Sequence, residues 1–311
     1  MRTLIVGAGA TGGYIGAALV TGGRDVTFLV RPATRSRLAA EGLRIRDPHG
    51  AFTATPVTAV TRDELDGAYD LVLMAVRSDV VTAAIDDILP AVGTTTRILP
   101  IINGMAHLSE LTEAYSEELV LGGTARLATS LRADGAIDEV QPGVHFEIGR
   151  LDGRRTEVVT AIGAELAAPG ITVTIADDIV SAMWNKFAFI TATAVLTCLL
   201  GDVIGPIART PGGTDVARHV LAEVGTVAAA EGHPLPVGVH AALETLLLDP
   251  TSHFGPSMFR DLRAGRPVET AVLADLAKRA RRHGVATPLL DAVLVVLGLQ
   301  AQRLTAARPP S

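Results

Sequence analysis

The chain contains very few cysteine, lysine or aromatic residues. Cys198 is the single cysteine among 311 residues, which excludes an intrachain disulfide and any metal site built from several cysteines. This scarcity fits a reducing, cytoplasmic setting. Only two residues, Lys186 and Lys278, are lysine, whereas lysine and arginine together number 27. Nearly all of the positive charge is therefore arginine, and each lysine needs its own explanation.

The sequence also lacks an excess of basic residues and a very long hydrophobic run. Its formal net charge is −6 and its pI is about 5.8, so we expect no nucleic acid partner. The uncharged runs 187–201 and 293–300 are shorter than the roughly 18–20 residues that cross a bilayer. We expect both runs to be buried helices and expect no membrane association. The histidines show no metal-ligand spacing, so no metal site is predicted.

Short apolar runs alternate with helical segments in the first part of the chain. The runs TLIVGAG, DVTFLV, DLVLMAV and RILPII are continuous and of strand length, as in buried parallel strands. Residues 121–149 are richer in glycine and predict smaller strands and hairpins. We therefore predict an α/β fold, with a Rossmann-type doubly wound sheet in a domain of residues 1–175.

Strand signals disappear after about residue 176, and helical signals replace them. Glycine, proline or Asp-Pro separates five helical stretches, which are 176–207, 214–231, 237–248, 268–283 and 287–306. We therefore predict an all-α second domain over residues 176–311, with a frayed end in the tail ARPPS.

A glycine motif of the form GxGxxG follows the first predicted strand. In this motif Gly7 permits a tight turn, Gly9 lets a pyrophosphate approach the backbone, and Gly12 lets helix and strand pack closely. Ala10 and Thr11 would begin the helix, whose N-terminus attracts the anion. Because the motif lies between a strand signal and a helix signal, it predicts a dinucleotide site. The alternative is a merely structural glycine turn.

The end of the second predicted strand indicates which dinucleotide binds. NAD-preferring sites usually carry Asp or Glu there to bind the ribose 2′-hydroxyl, but this chain has Arg31 in the segment LVRPATRSR. A guanidinium pairs with a 2′-phosphate, which a carboxylate would repel. The sequence therefore predicts NADP(H). We interpret the nearby Arg35 and Arg37 as a solvated helix start, which is also the alternative for Arg31.

Six motifs follow one another along the chain. They are GAGATGGYIG near the N-terminus, LVR at the end of the second strand, VRSDV at 76–80, INGM at 102–105, WNK at 184–186 and SMFRDLRAGRPVE at 257–269. Together and in this order they resemble the ketopantoate reductases (2-dehydropantoate 2-reductases) over almost the whole chain. The resemblance implies a Rossmann domain followed by a 6-phosphogluconate dehydrogenase-like helical domain. It also implies that NADPH and an α-keto acid bind in the cleft between the domains.

The resemblance assigns roles to five residues. Lys186 matches the family's catalytic lysine, which would donate a proton to the carbonyl oxygen. Glu269 matches an acid that bonds the lysine or the substrate hydroxyl, and Ser257 matches the serine that binds the substrate carboxylate. Asn103 matches an asparagine near the nicotinamide and the substrate. Arg77 stands where the family usually has a lysine that reaches toward the cofactor.

Elementary chemistry supports the role of Lys186, and plainer interpretations of all these residues stay open. A lysine beside an apolar helix face is partly desolvated, which lowers its pKa toward the range where proton donation is effective. Otherwise Lys186 is an ordinary snorkelling lysine. Glu269 would then be a solvated helix carboxylate, Ser257 a helix cap, and Asn103 part of an Asn-Gly turn.

The chain departs from the family's pattern on the predicted helix of Lys186. In the family an asparagine commonly follows the lysine by four residues, and often another by eight, but here these positions are Ile190 and Ala194. The amides help bind oxygen atoms of the substrate, so their loss leaves the substrate open. Thr193 and Thr197 lie near the same stripe and could supply hydroxyls, although helix threonines often bond their own backbone.

These observations predict an NADPH-dependent oxidoreductase that reduces a small α-keto acid to the hydroxy acid, with ketopantoate as the first candidate. The resemblance further implies pantothenate biosynthesis and a homodimer. One alternative is a related β-hydroxyacid dehydrogenase with another substrate, since those enzymes also pair a Rossmann domain with a helical one. The other alternative is a protein that senses NADP(H) without turnover, because both amides are missing.

Overall fold

The computed structural model describes residues 1–306, and the predicted frayed tail, 307–311, lies outside the described residues. The chain forms two compact units. The first consists of Met1–Ile102 and Ala106–Met183, and the second of Asn103–Met105 together with the chain from Trp184 onward. The second unit therefore includes a short turn that is far from the rest of it in sequence. The domain boundary after residue 175 stays a prediction.

The first unit alternates strands and helices. Its strands are β1 (Arg2–Val6), β2 (Asp25–Leu29), β3 (Leu43–Arg46), β4 (Phe52–Thr55), β5 (Thr58–Val60), β6 (Leu71–Met74), β7 (Arg97–Pro100), β8 (Leu121–Leu131), β9 (Ile137–Arg150) and β10 (Ile171–Ile175). Its helices are α1 (Ala10–Thr21), α2 (Pro32–Glu41), α3 (Val81–Asp87), α4 (Ala106–Tyr115) and α5 (Glu157–Leu166). Short 3-10 helices lie at Arg62–Glu64, Ser78–Val80 and Leu89–Ala91.

Five strands form a parallel sheet in the order β5, β2, β1, β6, β7. Every residue of β6 is buried, as are four of the five residues of both β1 and β2, which is the pattern of a sheet covered on both faces. The four apolar runs named above supply β1, β2, β6 and β7. The predicted Rossmann-type sheet is therefore confirmed. The edge strand β5, which has only three residues, was not predicted from the sequence.

A second sheet contains β10, β9, β3 and β4 in that order, and β8 pairs with β9 in the antiparallel sense. The predicted hairpin over residues 121–149 is confirmed, but its two strands, β8 and β9, are long, so the prediction of smaller strands is wrong. The apolar runs also did not reveal β10, whose sequence ITVTI leaves alternate side chains exposed. Such half-buried strands carry fewer apolar residues than strands buried on both faces.

The second unit is helical. Its helices are α6 (Ile179–Leu200), which begins in the first unit, α7 (Ile204–Arg209), α8 (Gly213–Ala230), α9 (Val237–Leu247), α10 (Ser257–Arg263), α11 (Ala271–Arg282) and α12 (Pro288–Ala306). The prediction of helices in this part of the chain is confirmed. The helical stretches foreseen from the sequence did not include α10, because its sequence SMFRDLR is short and largely polar.

Within residues 1–306, two helices, α6 and α12, are long and apolar enough to cross a membrane by length and composition alone. The apolar window of α6 is 61% buried inside the protein, as expected for a core helix. The corresponding window of α12 is only 17% buried. The prediction of a buried helix is therefore wrong for residues 293–300, since Val293 and Leu297 are buried while Val295 is 63% exposed.

Candidate active site

The glycine motif forms the turn between β1 and α1. Gly7 has φ +97°, and its backbone nitrogen donates to the carbonyl oxygen of Leu29 at 3.0 Å, which holds the turn against the end of β2. A Cβ on Gly12 would lie 2.2 Å from the carbonyl oxygen of Gly7 and 2.9 Å from Cβ of Ala75. The turn therefore requires glycine at both positions, for conformation at Gly7 and for space at Gly12.

The N-terminus of α1 is open to an anion. Gly9 is the N-cap residue, no side chain caps the helix, and the first turn contains no acidic residue. A Cβ on Gly9 would have no atom within 4 Å, so this glycine leaves free space beside the backbone. Ala10 and Thr11 begin the helix at this point and are half-buried. Free backbone N–H groups and the positive end of the helix dipole together suit a phosphate.

Two glycines that the motif does not contain hold α1 against the sheets. A Cβ on Gly16 would lie 2.2 Å from Cζ of Phe28, and one on Gly13 would lie 2.6 Å from Cδ1 of Ile137. The close packing that the sequence assigned to Gly12 is therefore shared along the helix. A signal for it was present, because glycines three or four positions apart lie on one helix face.

Arg31 follows β2 and is the N-cap residue of α2. Its side chain is exposed and makes no hydrogen bond or ion pair with any residue of the described chain, 1–306. Arg35 pairs with Glu64 at 2.7 Å, and Arg37 donates to the carbonyl oxygen of Gly135 at 3.2 Å. Arg35 and Arg37 therefore have partners within the chain, although the Arg35 side chain is still 43% exposed. Arg31 is the arginine of this segment whose guanidinium is available to a ligand.

Arg77 lies in the loop after β6. This loop approaches the glycine turn, since a Cβ on Gly7 would lie 3.1 Å from the carbonyl oxygen of Ala75. The Arg77 side chain is exposed, and its Nε lies 3.2 Å from Oδ1 of Asp79. The first unit thus brings the glycine turn, the end of β2 and the loop of Arg77 to one end of its parallel sheet. Open α/β sheets bind ligands outside the carboxyl ends of their strands.

Asn103 lies in the short turn that belongs to the second unit. The next residue, Gly104, has φ +88°, a conformation that favours glycine. A Cβ on Gly104 would lie 3.8 Å from Cγ1 of Val272 on α11. The Asn-Gly turn is therefore real, and it lies against the start of the helix that follows Glu269. Glu269 itself is half-buried just ahead of this helix.

Lys186 lies on α6 between buried aromatic residues. The lysine is half-buried, and Trp184 and Phe187 are each 2% exposed. The Trp184 ring stacks on His233 with centroids 5.5 Å apart, and the guanidinium of Arg279 lies 5.4 Å from the Trp184 ring centre. Dense packing of this kind holds α6 firmly at the position of Lys186.

Ser257 is connected to the same helix through an aromatic contact. Phe189, on α6, meets Phe254 edge to face with centroids 5.6 Å apart, and Phe254 precedes Ser257 by three residues. Ser257 is the first residue of α10, whose N-cap is Pro256, so its interpretation as a helix cap is wrong. The Ser257 side chain is exposed and forms no hydrogen bond with residues 1–306. Its hydroxyl is thus available to a ligand.

The two threonines of α6 that could have replaced the missing amides are turned inward. Thr193 and Thr197 are fully buried, and their hydroxyls donate to the carbonyl oxygens of Phe189 at 2.8 Å and of Thr193 at 2.7 Å. The expectation that they bond their own backbone is confirmed, and they do not replace the missing amides. Burial also raises the pKa of Cys198 to about 12, so its thiol stays protonated at neutral pH.

An ion-pair network that the sequence did not reveal supports Trp184. Arg279, whose guanidinium lies over the Trp184 ring, bonds both Glu231 and Asp275, the latter at 3.1 Å. Nε2 of His283 lies 2.9 Å from Glu231. Burial raises the pKa of Glu231, but the hydrogen bonds and charges of Arg279 and His283 outweigh it and hold the pKa below its usual range. No local motif predicts such a network, because it joins residues that are 52 positions apart in the sequence.

The site residues predicted from the sequence are divided between the two units. The first unit contains the glycine motif, Arg31 and Arg77, and the second contains Asn103, Lys186, Ser257 and Glu269. Within residues 1–306, no group of three or more His, Cys, Asp or Glu side chains could hold a metal ion.

The chain is similar to known proteins over almost its whole length. The family model described as Ketopantoate reductase PanE/ApbA matches residues 3–153, and the model for the C terminal part of that family matches residues 178–301. The protein named uncharacterized oxidoreductase YkpB of Bacillus subtilis (strain 168) is 32% identical over 294 residues, covering 94% of this chain and 96% of that protein. The 2-dehydropantoate 2-reductase of Mesorhizobium japonicum is 28% identical, covering 96% of this chain and 97% of that enzyme.

A solved structure shares the fold. The ternary structure of D-mandelate dehydrogenase with NADH and anilino(oxo)acetate matches with a TM-score of 0.86 and 21% identity, covering 98% of this chain and 99% of that chain. At that identity the likeness speaks for the fold alone. The two family models together cover well over half of the sequence. The chain therefore belongs to the ketopantoate reductase PanE/ApbA family of oxidoreductases.

Proposed function

We propose that this chain reduces the ketone of a small α-keto acid to a hydroxyl group with NADPH, and that 2-dehydropantoate (ketopantoate) is the first candidate substrate. The observation that supports the proposal is a pair of contacts within the second unit, each of which joins two segments that are far apart in the sequence. The contact between Phe189 and Phe254 connects the helix of Lys186 to the segment of Ser257. The turn of Asn103 lies against α11, directly after Glu269 in the chain.

NADPH is proposed as the cofactor because two features of the first unit suit it. The open N-terminus of α1, from Gly7 to Gly12, has neither a side-chain cap nor an acidic residue that would compete with a pyrophosphate. The exposed guanidinium of Arg31 suits a 2′-phosphate. Arg77 keeps the positive charge of the lysine it replaces, although with a different donor geometry.

When bound, the nicotinamide supplies a hydride to the carbonyl carbon of the substrate. As the carbonyl π bond breaks, its electron pair moves to oxygen, and the ammonium group of Lys186 gives that oxygen a proton. The lysine charge also stabilises the developing alkoxide. Glu269 orients the lysine or the new hydroxyl, Ser257 binds the substrate carboxylate, and Asn103 holds the substrate near the nicotinamide. Lys186 then recovers a proton from solvent.

Two alternatives use the same fold. One is an enzyme of the β-hydroxyacid dehydrogenase type with a different substrate. D-mandelate dehydrogenase, which shares the fold, is seen with NADH and anilino(oxo)acetate, so another substrate and NADH are both compatible with this architecture. The other alternative is an NADP(H) sensor without turnover. It is favoured by the absence of amides at Ile190 and Ala194.

A cytoplasmic location, a place in pantothenate biosynthesis and a homodimer complete the proposal. The low cysteine content supports the first of these, and the family resemblance supports the other two. Light scattering of the purified chain measures the oligomeric state directly.

The deciding experiment follows nicotinamide absorbance. The protein is incubated with NADPH or NADH and with a panel of α-keto acids that includes ketopantoate. We expect oxidation of NADPH by at least one member of the panel, faster than oxidation of NADH. Tight NADPH binding without oxidation on any substrate would instead establish the sensor, and faster oxidation of NADH would overturn the choice of cofactor.

A further inference from the structure

We propose that the preferred substrate carries a hydrocarbon group where ketopantoate carries its hydroxymethyl group, and that Ile190 is the residue that selects it. This inference rests on the proposed function, since it takes the reacting carbonyl to lie at Lys186. It goes further by naming a substrate class, the α-keto acids with an apolar side chain.

The positions three and four residues from Lys186 on α6 carry no hydrogen-bonding side chain. On an α-helix, the neighbours of a residue are those three and four positions away. For Lys186 these neighbours are Ala182, Met183, Phe189 and Ile190, and all four are apolar. A substrate group that lies over these four positions therefore meets hydrocarbon and thioether atoms only.

The most exposed part of this surface lies on the C-terminal side of the lysine. Phe189 is 36% exposed and Ile190 is half-buried, so both present apolar atoms at the surface of the unit. Phe189 also contacts Phe254, three residues before Ser257. A substrate with its ketone at Lys186 and its carboxylate at Ser257 would therefore place its side chain over this apolar surface.

Polar groups farther along α6 do not compensate. The hydroxyls of Thr193 and Thr197 donate to carbonyl groups of their own helix, and both residues are fully buried. Ala194, also fully buried, brings no polar atom. A substrate hydroxyl at this surface would lose its hydrogen bonds to water and gain none from α6. A methyl group would instead gain by leaving water.

Two substrates that differ by one hydroxyl test the inference. They are ketopantoate and 3,3-dimethyl-2-oxobutanoate, in which a methyl group replaces the hydroxymethyl group. With NADPH, we expect kcat/KM to be about 10- to 100-fold higher for the methyl compound. Ile190→Asn returns an amide to the position one turn after Lys186. It should lower this ratio by at least about 10-fold, mainly by improving turnover of ketopantoate.

The ratio of the two kcat/KM values is independent of the folded fraction, so a partly unfolded variant still gives a valid result. Leu199→Asn is the matched control, because Leu199 is also half-buried on α6 but lies 13 residues beyond Lys186, about 20 Å along the helix. We expect its ratio to stay within about twofold of wild type. Ile190→Leu keeps an apolar side chain and should keep the preference for the methyl compound.

The outcomes separate the inference from the proposed function. A wild-type preference for ketopantoate would overturn the apolar substrate class and leave the reductase proposal standing. A preference for the methyl compound that Ile190→Asn leaves unchanged would overturn the role of Ile190. Failure of every α-keto acid to oxidise NADPH would overturn the proposed function, and this inference with it.

Discussion

Helices α1 and α6 are both apolar, and each serves its proposed ligand in a different way. α1 presents backbone: its N-cap is Gly9, and no side chain caps it. α6 presents one charged side chain, Lys186, among 22 residues. Any sequence that can adopt the α1 turn offers the same N–H groups, so phosphate binding at α1 depends on side chains being absent there. The substrate end depends on which side chains are present, and a single substitution there changes the chemistry.

The largest effect is expected from removing the one charge of α6. Lys186→Met deletes the proposed proton donor and should lower kcat/KM by about 10²–10⁴-fold. NADPH affinity should change little, because the proposed cofactor residues on α1 and at Arg31 are untouched. Steady-state kinetics and a fluorescence titration measure the two quantities. Lys278→Met is the matched control, since it removes the other lysine, which is exposed on α11. Wild-type turnover in Lys186→Met would refute the proton-donor role.

The next effect concerns a side chain that does take part at the cofactor end. Arg31→Asp replaces an exposed guanidinium with a charge that repels a 2′-phosphate, and should weaken NADPH binding by about 100-fold. NADH, which lacks this phosphate, should lose little affinity. Calorimetric titrations with both cofactors measure the difference. Arg35→Ala serves as the control, because that arginine pairs with Glu64. Equal losses for the two cofactors would contradict the assignment.

Two glycines of one motif should respond to alanine in different ways. In Gly12→Ala the new Cβ would lie 2.2 Å from the carbonyl oxygen of Gly7, so the free energy of unfolding should fall by about 1–3 kcal/mol. In Gly9→Ala the Cβ meets nothing within 4 Å, so stability should change by less than about 0.5 kcal/mol while NADPH binding weakens. Urea unfolding and NADPH titration of both variants measure these effects. If both variants lost the same free energy of unfolding, the free space at Gly9 would not explain a difference between the two glycines.

A smaller effect is expected behind α6, where Glu231 holds Arg279 near Trp184. Because the pKa of Glu231 is lowered in the folded chain, its contribution to stability is present above the unfolded pKa of about 4.3 and is lost as pH falls through the folded pKa. Glu231→Gln should therefore lower the free energy of unfolding by about 1–2 kcal/mol at pH 7. The difference from wild type should shrink on acidification below about pH 4.

Denaturant unfolding of both proteins across this pH range gives the comparison. Glu244→Gln is the control, because Glu244 pairs with Arg218 at the surface and such exposed pairs contribute little. A difference that stays constant down to pH 2 would rule out the charge of Glu231 as its cause.

The two regions were not equally predictable from the sequence. The parallel sheet and the glycine turn were recognised because strands buried on both faces are continuous apolar runs, and because a strand, a glycine turn and a helix follow one another within a few residues. The half-buried strand β10 was not predicted, and the helix α12 was predicted to be buried although most of it is exposed. Apolar content alone does not say whether another element covers a segment.

Local sequence by itself determined the fold class, the space at the glycine motif, the charge at Arg31 and the solitary lysine of α6. Each of these is a property of neighbouring residues, so it could be recognised before any folding. Only the tertiary structure decided that Thr193 and Thr197 are fully buried, that the Ser257 side chain is exposed, and that Arg279 supports Trp184. These facts depend on burial and on contacts between residues far apart in the chain, which no local pattern encodes.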